Sequence, residues 1–272
     1  METGVVSYQR YPILGVQITA IERQEAAAVV LAAARDRIPL GVSALAVHGV
    51  MEGVLDPEVQ FRLNDLEMVV ADGQPVRWAL RWLHGVGLTE RVYGPDLMND
   101  VCGLAAREGL PIYLYGSTDD TLSSLENRLM ARHPGLQIAG SRPSRFRPAT
   151  VAEQDADVDE IGTSGARIVF AGLGCPRQEI WTYEMRHRLS LPVLAVGAAF
   201  DFHAGNARQA PDWMQRRGLE WLYRLVQEPR RLWRRYLLLN PSYLALVALQ
   251  ATRLRTIPTA RAQMPSQPIR PG

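Results

Sequence analysis

Apolar runs of strand length alternate with helix-length stretches along most of the chain. The apolar runs predict strands at residues 13–19, 44–50, 68–71, 112–115, 137–139, 168–172 and 193–196. The stretches between them predict helices at about 20–35, 57–66, 75–84, 95–107, 119–132 and 177–188, several of which start with proline. Strands that alternate with crossover helices predict an α/β fold with a mostly parallel, Rossmann-like sheet covered by helices. Such sheets bind ligands beyond the carboxyl ends of their strands.

The pattern changes after Gly205, where two helical segments, 212–227 and 229–239, follow each other without a strand. We expect an α/β catalytic core at 1–208, an Arg/Trp-rich helical appendage at 209–255 and a disordered tail at 256–272. The apolar stretch 236–250 is interrupted by Asn240-Pro241-Ser242. It is also shorter than the ~20 apolar residues that a spanning helix needs.

Charge is distributed unevenly over the 272 residues, although the net charge is only +2. Residues 212–255 hold nine Arg and three acidic residues, a local charge of +6, so the rest of the chain carries −4. Trp213, Trp221 and Trp233 lie among these arginines. Arginine with interleaved aromatic residues suits nucleic acid as well, but Trp and Leu on one helical face of an otherwise acidic protein favour an anionic membrane surface.

Little in the sequence indicates export. Cys102 and Cys175 are too few for a disulfide framework, which favours a reduced, cytosolic compartment. The N-terminus has no basic region followed by an apolar one, so we expect no signal peptide.

Two polar segments follow predicted strands or precede predicted helices. In A-D-G-Q-P, Asp72 ends a strand at the ligand-binding edge, where it suits a general base, although an aspartate that caps the next helix fits equally well. In E-R-V-Y-G-P-D, the planar guanidinium of Arg91 suits a phosphate and Asp96 lies in the first turn of the next helix. A surface arginine and an ordinary helix-start aspartate fit that second segment equally well.

Glycine turns follow two further strands, at Gly116-Ser117 and at Gly172-Leu173-Gly174. Such turns let the backbone approach a phosphorylated ligand closely, although an ordinary strand–helix turn resembles the first one. The second precedes Arg177, Gln178 and Glu179 at a helix N-terminus. Arg177 replaces the third glycine of the dinucleotide fingerprint G-x-G-x-x-G. Cys175 lacks a nearby histidine, which favours a packing role over a nucleophile.

Acidic residues occur in two patterns that metal sites also use. Asp201 and His203 would need a third ligand. The run Asp155-x-Asp157-x-Asp159 follows no strand, and we interpret it as a solvated helix face. The sequence therefore predicts no metal site and no other cofactor.

Five motifs, taken in order, resemble one known family. They are A-D-G-x-P-V, E-R-V-x-G-x-D-L-M, G-L-G-x-P-[KR]-Q-E-x-W, G-x-x-F-D-F-x-A-G and A-P-x-W-M-x-R-x-G-L-E-W-L-Y-R-L-x-x-E-P-R-R. Together they closely resemble the WecG/TagA/CpsF family of glycosyltransferases (glycosyltransferase family 26) over about residues 44–236. The resemblance implies an inverting, metal-independent enzyme that transfers a sugar from a UDP-sugar to a polyprenyl-diphosphate-linked saccharide, peripherally on the cytoplasmic face of the membrane.

The resemblance also implies roles for matching positions. Asp72 corresponds to the family's proposed catalytic base, and the C-terminal arginines to those thought to close over the site and neutralise the leaving UDP. The predicted substrate contacts are His48, Gln74, Arg91, Gly94, Asp96, Gly116, Ser117, Gly172, Gly174, Arg177, Gln178, Glu179, Asp201, Arg224, Arg231 and Arg234.

His48 marks a departure from the family pattern. Many members end the corresponding strand in T-x-N, where this chain has Ala46-Val47-His48. The segment V-H-G-V-M-E resembles the exopolysaccharide branch, including a xanthan-type glucuronosyltransferase. The donor sugar therefore cannot be assumed to be N-acetylmannosamine.

Two other classes of function stay open on the sequence. A dinucleotide-dependent oxidoreductase would use a similar sheet and glycine turns, although the missing fingerprint disfavours it. A non-catalytic module could bind polyanions through the basic segment. Expected partners are the UDP-sugar, the lipid-linked saccharide and an anionic membrane surface, with no nucleic acid and with a possible homo-oligomer.

Overall fold

The computed structural model describes residues 8–252 and 262–272, and of Arg231, Arg234 and Arg235 it describes only the backbone. Its strands form a single sheet of eight in the order β1-β2-β4-β3-β8-β7-β5-β6. They are β1 (Arg10–Ile13), β2 (Val16–Thr19), β3 (Leu40–Leu45), β4 (Met68–Ala71), β5 (Ile112–Gly116), β6 (Ile138–Arg142), β7 (Ile168–Gly172) and β8 (Pro192–Ala195). All neighbours pair in parallel except β1 and β2. The predicted mostly parallel α/β fold is confirmed.

Helices connect and follow these strands. They are α1 (Arg23–Asp36), α2 (Val47–Leu55), α3 (Pro57–Asp65), α4 (Gln74–His84), α5 (Gly94–Glu108), α6 (Asp119–Arg132), α7 (Val151–Thr163), α8 (Arg177–Leu189), α9 (Ala199–Ala204), α10 (Asp212–Arg216), α11 (Glu220–Gln227), α12 (Pro229–Arg234) and α13 (Asn240–Ala251), with a π-helical turn at Arg235–Leu239. Proline lies in the first turn of α3, α4 and α5, as predicted.

Hydrophobic packing on both faces of the sheet explains why its strands are apolar runs. Along a strand, successive side chains point to opposite faces, so Val70 and Val69 of β4 belong to different clusters. One cluster joins the sheet to α1, α5, α6 and α9. The others join the opposite face to α2, α3, α4, α8 and α13. The central strands β3, β4 and β8 are buried along their whole length.

Two sequence predictions are wrong in their local structure. The predicted strand 13–19 is a hairpin, because Leu14 and Gly15 adopt positive φ values and reverse the chain between β1 and β2. The predicted strand 44–50 ends at Leu45 and continues as α2. The buried residues Val47, Val50 and Met51 follow helical spacing, and strand alternation cannot bury all three on one side.

The run Asp155-x-Asp157-x-Asp159 lies on α7, but its middle residue is not solvated. Asp157 is buried and accepts hydrogen bonds from Arg142, Arg145 and Tyr115, at 2.7–2.8 Å. The hydrogen bonds of Asp157 therefore connect α7 with β5 and with the segment after β6. Asp155 and Asp159 are exposed, as expected for a solvated face.

The C-terminal segment, residues 209–252, contains more separate helices than the two that its sequence pattern predicted. Gly218, at φ 70°, separates α10 from α11 within the predicted helix 212–227. Helix α13 packs on α2 and α4, burying Tyr243 and Val247. The boundary at residue 208 and the membrane-associating appendage stay predictions.

The far end of the predicted tail is described in part. Residues 256–261 lie outside the described residues. The carbonyl of Arg270 accepts from the amide of Ala149 at 2.8 Å, and that of Gly272 accepts from the Ser144 hydroxyl at 2.8 Å. Residues 270–272 therefore contact the segment between β6 and α7, whereas Gln263, Ser266 and Gln267 form hydrogen bonds with residues of α3.

No helix within residues 8–252 and 262–272 combines the length and the apolar character that crossing a bilayer requires.

Candidate active site

A cleft of ≈ 430 Å³ lies at the carboxyl ends of the parallel strands. Its floor is formed by the residues that follow β3, β4, β7 and β8, and one side is formed by the C-terminal segment. This is the edge at which open parallel sheets bind ligands. The structure therefore brings most of the sequence-predicted residues together: His48, Asp72, Gln74, Arg91, Ser117, Gly172, Gly174, Gln178, Glu179, Asp201 and Arg224.

Asp72 is the first residue after β4 and its carboxyl group faces this cleft. The amide of Asp72 donates to the carbonyl of Leu45 at 3.2 Å, and its Oδ1 accepts from the amide of Gly94 at 3.3 Å. Burial raises the pKa of Asp72 to about 7, with Arg91 opposing and Glu220 reinforcing the rise. With this pKa, the carboxylate is present in a large fraction of molecules near neutral pH, and it is a stronger base than the carboxylate of an ordinary aspartate.

Arg91 contacts the C-terminal segment beside Asp72. Its Nη1 donates to Glu220 Oε2 at 2.5 Å and its Nη2 to Gln215 Oε1 at 2.8 Å. The Tyr93 hydroxyl donates to Glu220 Oε1 at 2.6 Å, and the Arg91 guanidinium lies 4.0 Å from the Tyr93 ring centre. Glu220, Gln215 and Tyr93 were missed by the sequence reasoning. The one available signal was that Glu220 is an acidic residue within a strongly basic segment.

The turn between β7 and α8 is held by its own polar side chains. The amide of Gly174 donates to Gln178 Oε1 at 3.1 Å, and Gln178 Nε2 donates to Glu179 Oε1 at 3.0 Å. The Ser43 hydroxyl reaches the same Glu179 oxygen at 3.3 Å. Burial raises the pKa of Glu179. Gly197, at φ 56°, leaves room for Gln178, since a Cβ there would lie 3.2 Å from its amide atoms.

The first glycine turn lies on the other side of the cleft. Gly116, at φ 113°, packs so closely on β7 that a Cβ would lie 2.7 Å from the backbone of Gly172. Ser117, also at positive φ, donates its amide to the Gly172 carbonyl at 3.1 Å and lines the cleft. The carbonyl of Ser117 accepts from the amide of Ser144, which brings the exposed ring of Phe146 to the cleft. Sequence reasoning missed Phe146.

Four more predicted residues lie around the floor and the C-terminal side. His48 is in the first turn of α2, with Nδ1 3.4 Å from Glu52, and not at a strand end. Gln74 begins α4 and Asp201 lies on α9. The Arg224 guanidinium lies 5.6 Å from the ring centre of Phe202.

Four described residues of the prediction do not line this cleft. Gly94 and Gly116 contribute only backbone contacts to its walls. Asp96 lies in a second, shallower cleft of ≈ 550 Å³ with Arg132 and His203. Arg177 does not line the cleft itself, but its side chain donates to the hydroxyl of Ser144, which does, at 3.3 Å, and to the carbonyl of Gly272. The side chains of Arg231 and Arg234 lie outside the described part of the structure.

Metal-binding side chains do not cluster in the part of the chain that the structure describes: no three His, Cys, Asp or Glu residues there are placed to hold an ion.

Comparison with known proteins places the chain among glycosyltransferases. A model of the "Glycosyl transferase WecG/TagA/CpsF family" matches residues 11–257, which is most of the chain. The chain belongs to this family, and it is therefore a glycosyltransferase of cell-surface polysaccharide synthesis. The family implies a nucleotide-sugar donor and a lipid-linked acceptor. Membership of this family does not support the two alternative functions, a dinucleotide-dependent oxidoreductase and a non-catalytic polyanion-binding module.

The raised pKa of Asp72 has a consequence for stability. Because the folded protein holds this proton more tightly than the unfolded chain, its contribution is complete below pH 4 and is lost as the pH rises to about 7. At pH 8, the free energy of unfolding of Asp72→Asn should therefore exceed that of the natural chain by up to about 4 kcal/mol, and its urea midpoint should be higher. This difference should disappear towards pH 4.

The measurement is urea unfolding of both proteins from pH 4 to pH 8. Asp159→Asn, a change of an exposed carboxyl group, is the matched control and should show little difference. A stability gain for Asp72→Asn that does not vary with pH would contradict the assigned pKa.

Proposed function

We propose that the chain transfers a sugar, with inversion and without a metal ion, from a UDP-sugar to a polyprenyl-diphosphate-linked saccharide. The observation that carries this proposal is the carboxyl group of Asp72, partly buried just after β4, with a pKa of about 7, and open to the cleft. Family membership supplies the class of reaction. The exopolysaccharide branch is part of the proposal and rests on the V-H-G-V-M-E segment at His48.

Asp72 acts as the base in a single displacement. Its carboxylate accepts the proton of the acceptor hydroxyl as that oxygen attacks the anomeric carbon of the donor. The new carbon–oxygen bond forms on the face opposite the bond to UDP, which breaks and releases UDP with the bonding electron pair. Inversion at the anomeric carbon follows because bond formation and bond breaking occur on opposite faces.

The leaving diphosphate needs positive charge and hydrogen-bond donors. The glycine turns at Ser117 and Gly174 let a ligand lie close to the carboxyl edge of the sheet, and Arg224 extends from α11 into the same cleft. Arginine side chains placed where negative charge develops can stabilise a transition state in the way that a metal ion does in other enzymes. We assign this role to Arg224 and extend it to Arg231 and Arg234.

Asp72→Asn should leave UDP binding intact and lower turnover by roughly 10²–10⁴-fold, the usual contribution of a general base. The assay follows UDP release in EDTA with a panel of UDP-sugars and a lipid-diphosphate-linked acceptor, and thermal shift with UDP reports donor binding. Asp159→Asn is the control for loss of a carboxylate. A folded Asp72→Asn protein with near-normal turnover would reject Asp72 as the base.

The acceptor is lipid-linked, and the C-terminal segment suits docking at the cytoplasmic face of the membrane. Its described part exposes large apolar side chains: Trp213, Leu222, Val226, Trp233, Leu237, Leu238 and Leu244. The same segment carries the excess of arginine. Apolar side chains with surrounding positive charge favour an interfacial position on anionic lipid.

Liposomes containing anionic lipid should bind the natural chain in a salt-dependent way, because attraction at a charged surface is screened within a Debye length. The double change Trp213→Ser and Trp233→Ser should remove most of the binding that persists at high salt. Leu55→Ser, which alters an even more exposed apolar residue on α2, is the control. Equal sedimentation of all three proteins at every salt concentration would exclude docking through this segment.

A further inference from the structure

We propose that Glu220 is a positioning residue for the reaction: it attaches the C-terminal segment to Arg91 and Tyr93 and thereby holds the Arg91 guanidinium beside Asp72. The proposal rests on the proposed role of Asp72 as the base. It assigns to an acidic residue of the basic segment the task of completing the site.

The contacts of Glu220 connect two separate parts of the chain. One carboxylate oxygen binds Arg91 at 2.5 Å and the other binds the Tyr93 hydroxyl at 2.6 Å, across 129 and 127 residues of sequence. Gln215 adds a second hydrogen bond to the same guanidinium at 2.8 Å. With the Tyr93 ring 4.0 Å from the guanidinium carbon, Arg91 is held on three sides.

The turn that presents Glu220 is itself packed against the core. Gly218, two residues before Glu220, adopts φ 70°, and a Cβ at this position would lie 2.8 Å from the Trp78 ring of α4. The α10–α11 turn therefore sits directly on the helix that follows Asp72. This packing allows the short α11 helix to deliver its first residue to Arg91.

Burial makes the Arg91–Glu220 pair sensitive to loss of either partner. The two side chains are only 10% and 14% exposed. Removing one partner of a buried pair leaves an uncompensated charge, which costs more than the pair itself gains. Without Glu220, the Arg91 guanidinium would move towards water or towards Asp72. Helix α11 would also lose its attachment to Arg91 and Tyr93.

The charges around Asp72 explain why an acidic residue belongs here. Arg91 and Arg224 stabilise the Asp72 carboxylate, whereas Glu220 and burial disfavour it. Because Glu220 offsets Arg91, the cation can stay close without turning Asp72 into a weak base. Other titratable side chains that line the cleft are His48, Tyr93, Cys175, Glu179, Asp201 and Tyr236. Arg91 then acts on the reaction through its position next to Asp72. The negative charge of the leaving diphosphate is balanced chiefly by Arg224.

The test uses the full chain and needs no turnover. A carboxyl-carbon NMR titration gives the pKa of Asp72, whose signal is identified by its absence in Asp72→Asn. Hydrogen exchange of peptides that cover Glu220–Gln227 reports whether α11 stays attached. The variants are Glu220→Gln, which keeps the shape without the charge, Glu220→Ala, and the control Asp212→Asn, which removes an exposed acidic residue from the same segment.

We expect Glu220→Gln to lower the pKa of Asp72 by about one unit, since a nearby negative charge is lost. Glu220→Ala should in addition speed exchange in α11 roughly tenfold, while Asp212→Asn changes neither. An unchanged Asp72 titration in Glu220→Gln, or unchanged α11 exchange in Glu220→Ala, overturns the proposal. If Glu220→Ala fails to fold, the Gln variant alone decides. Normal turnover of Asp72→Asn would instead reject the proposed base, whatever these titrations show.

Discussion

The free-energy cost of taking the Asp72 carboxylate out of water explains how the residues around it are arranged. Asp72 directly follows a fully buried strand, and partial removal from water raises the pKa of its side chain to about 7. An isolated buried carboxylate is costly, so the surrounding structure supplies the amide of Gly94 and the guanidinium of Arg91. Arg91 is buried in turn and needs Glu220. One desolvated group thus links a strand end, a loop and the C-terminal segment.

Backbone proximity is the second constraint on this site. The turns after β5 and β7 meet at Gly116 and Gly172, where no side chain fits between them, and Gly197 leaves space for Gln178. These contacts close the floor of the cleft with backbone and small side chains. A ligand can then lie close to the strand ends, and the C-terminal segment covers it from one side.

Local patterns predicted much of the fold, and 11 of the 17 residues predicted for the site line the cleft. Proline-led helices and apolar runs are short-range signals, and the parallel order of the sheet places the residues that follow its strands, such as Asp72 and Gly174, at one edge. Failures arise where tertiary contacts decide. The run through His48 is helical because its apolar residues pack at helical spacing, and Asp157 is buried because Arg142 and Arg145 surround it. Glu220 reaches Arg91 across 129 residues, which no local pattern reveals. Arg177 occupies a position of the family motif, yet it does not line the cleft, and its side chain donates to Ser144 and to the carbonyl of Gly272.

The pH dependence of kcat/KM for the natural chain tests the central claim most directly. The assay combines a UDP-sugar with a lipid-diphosphate-linked acceptor between pH 5 and pH 9. If Asp72 is the base and its pKa is about 7, the rate should rise tenfold per pH unit below that value and level off above it. A rate already at its plateau at pH 5 would show that the base titrates as an ordinary carboxyl group, and would contradict the account.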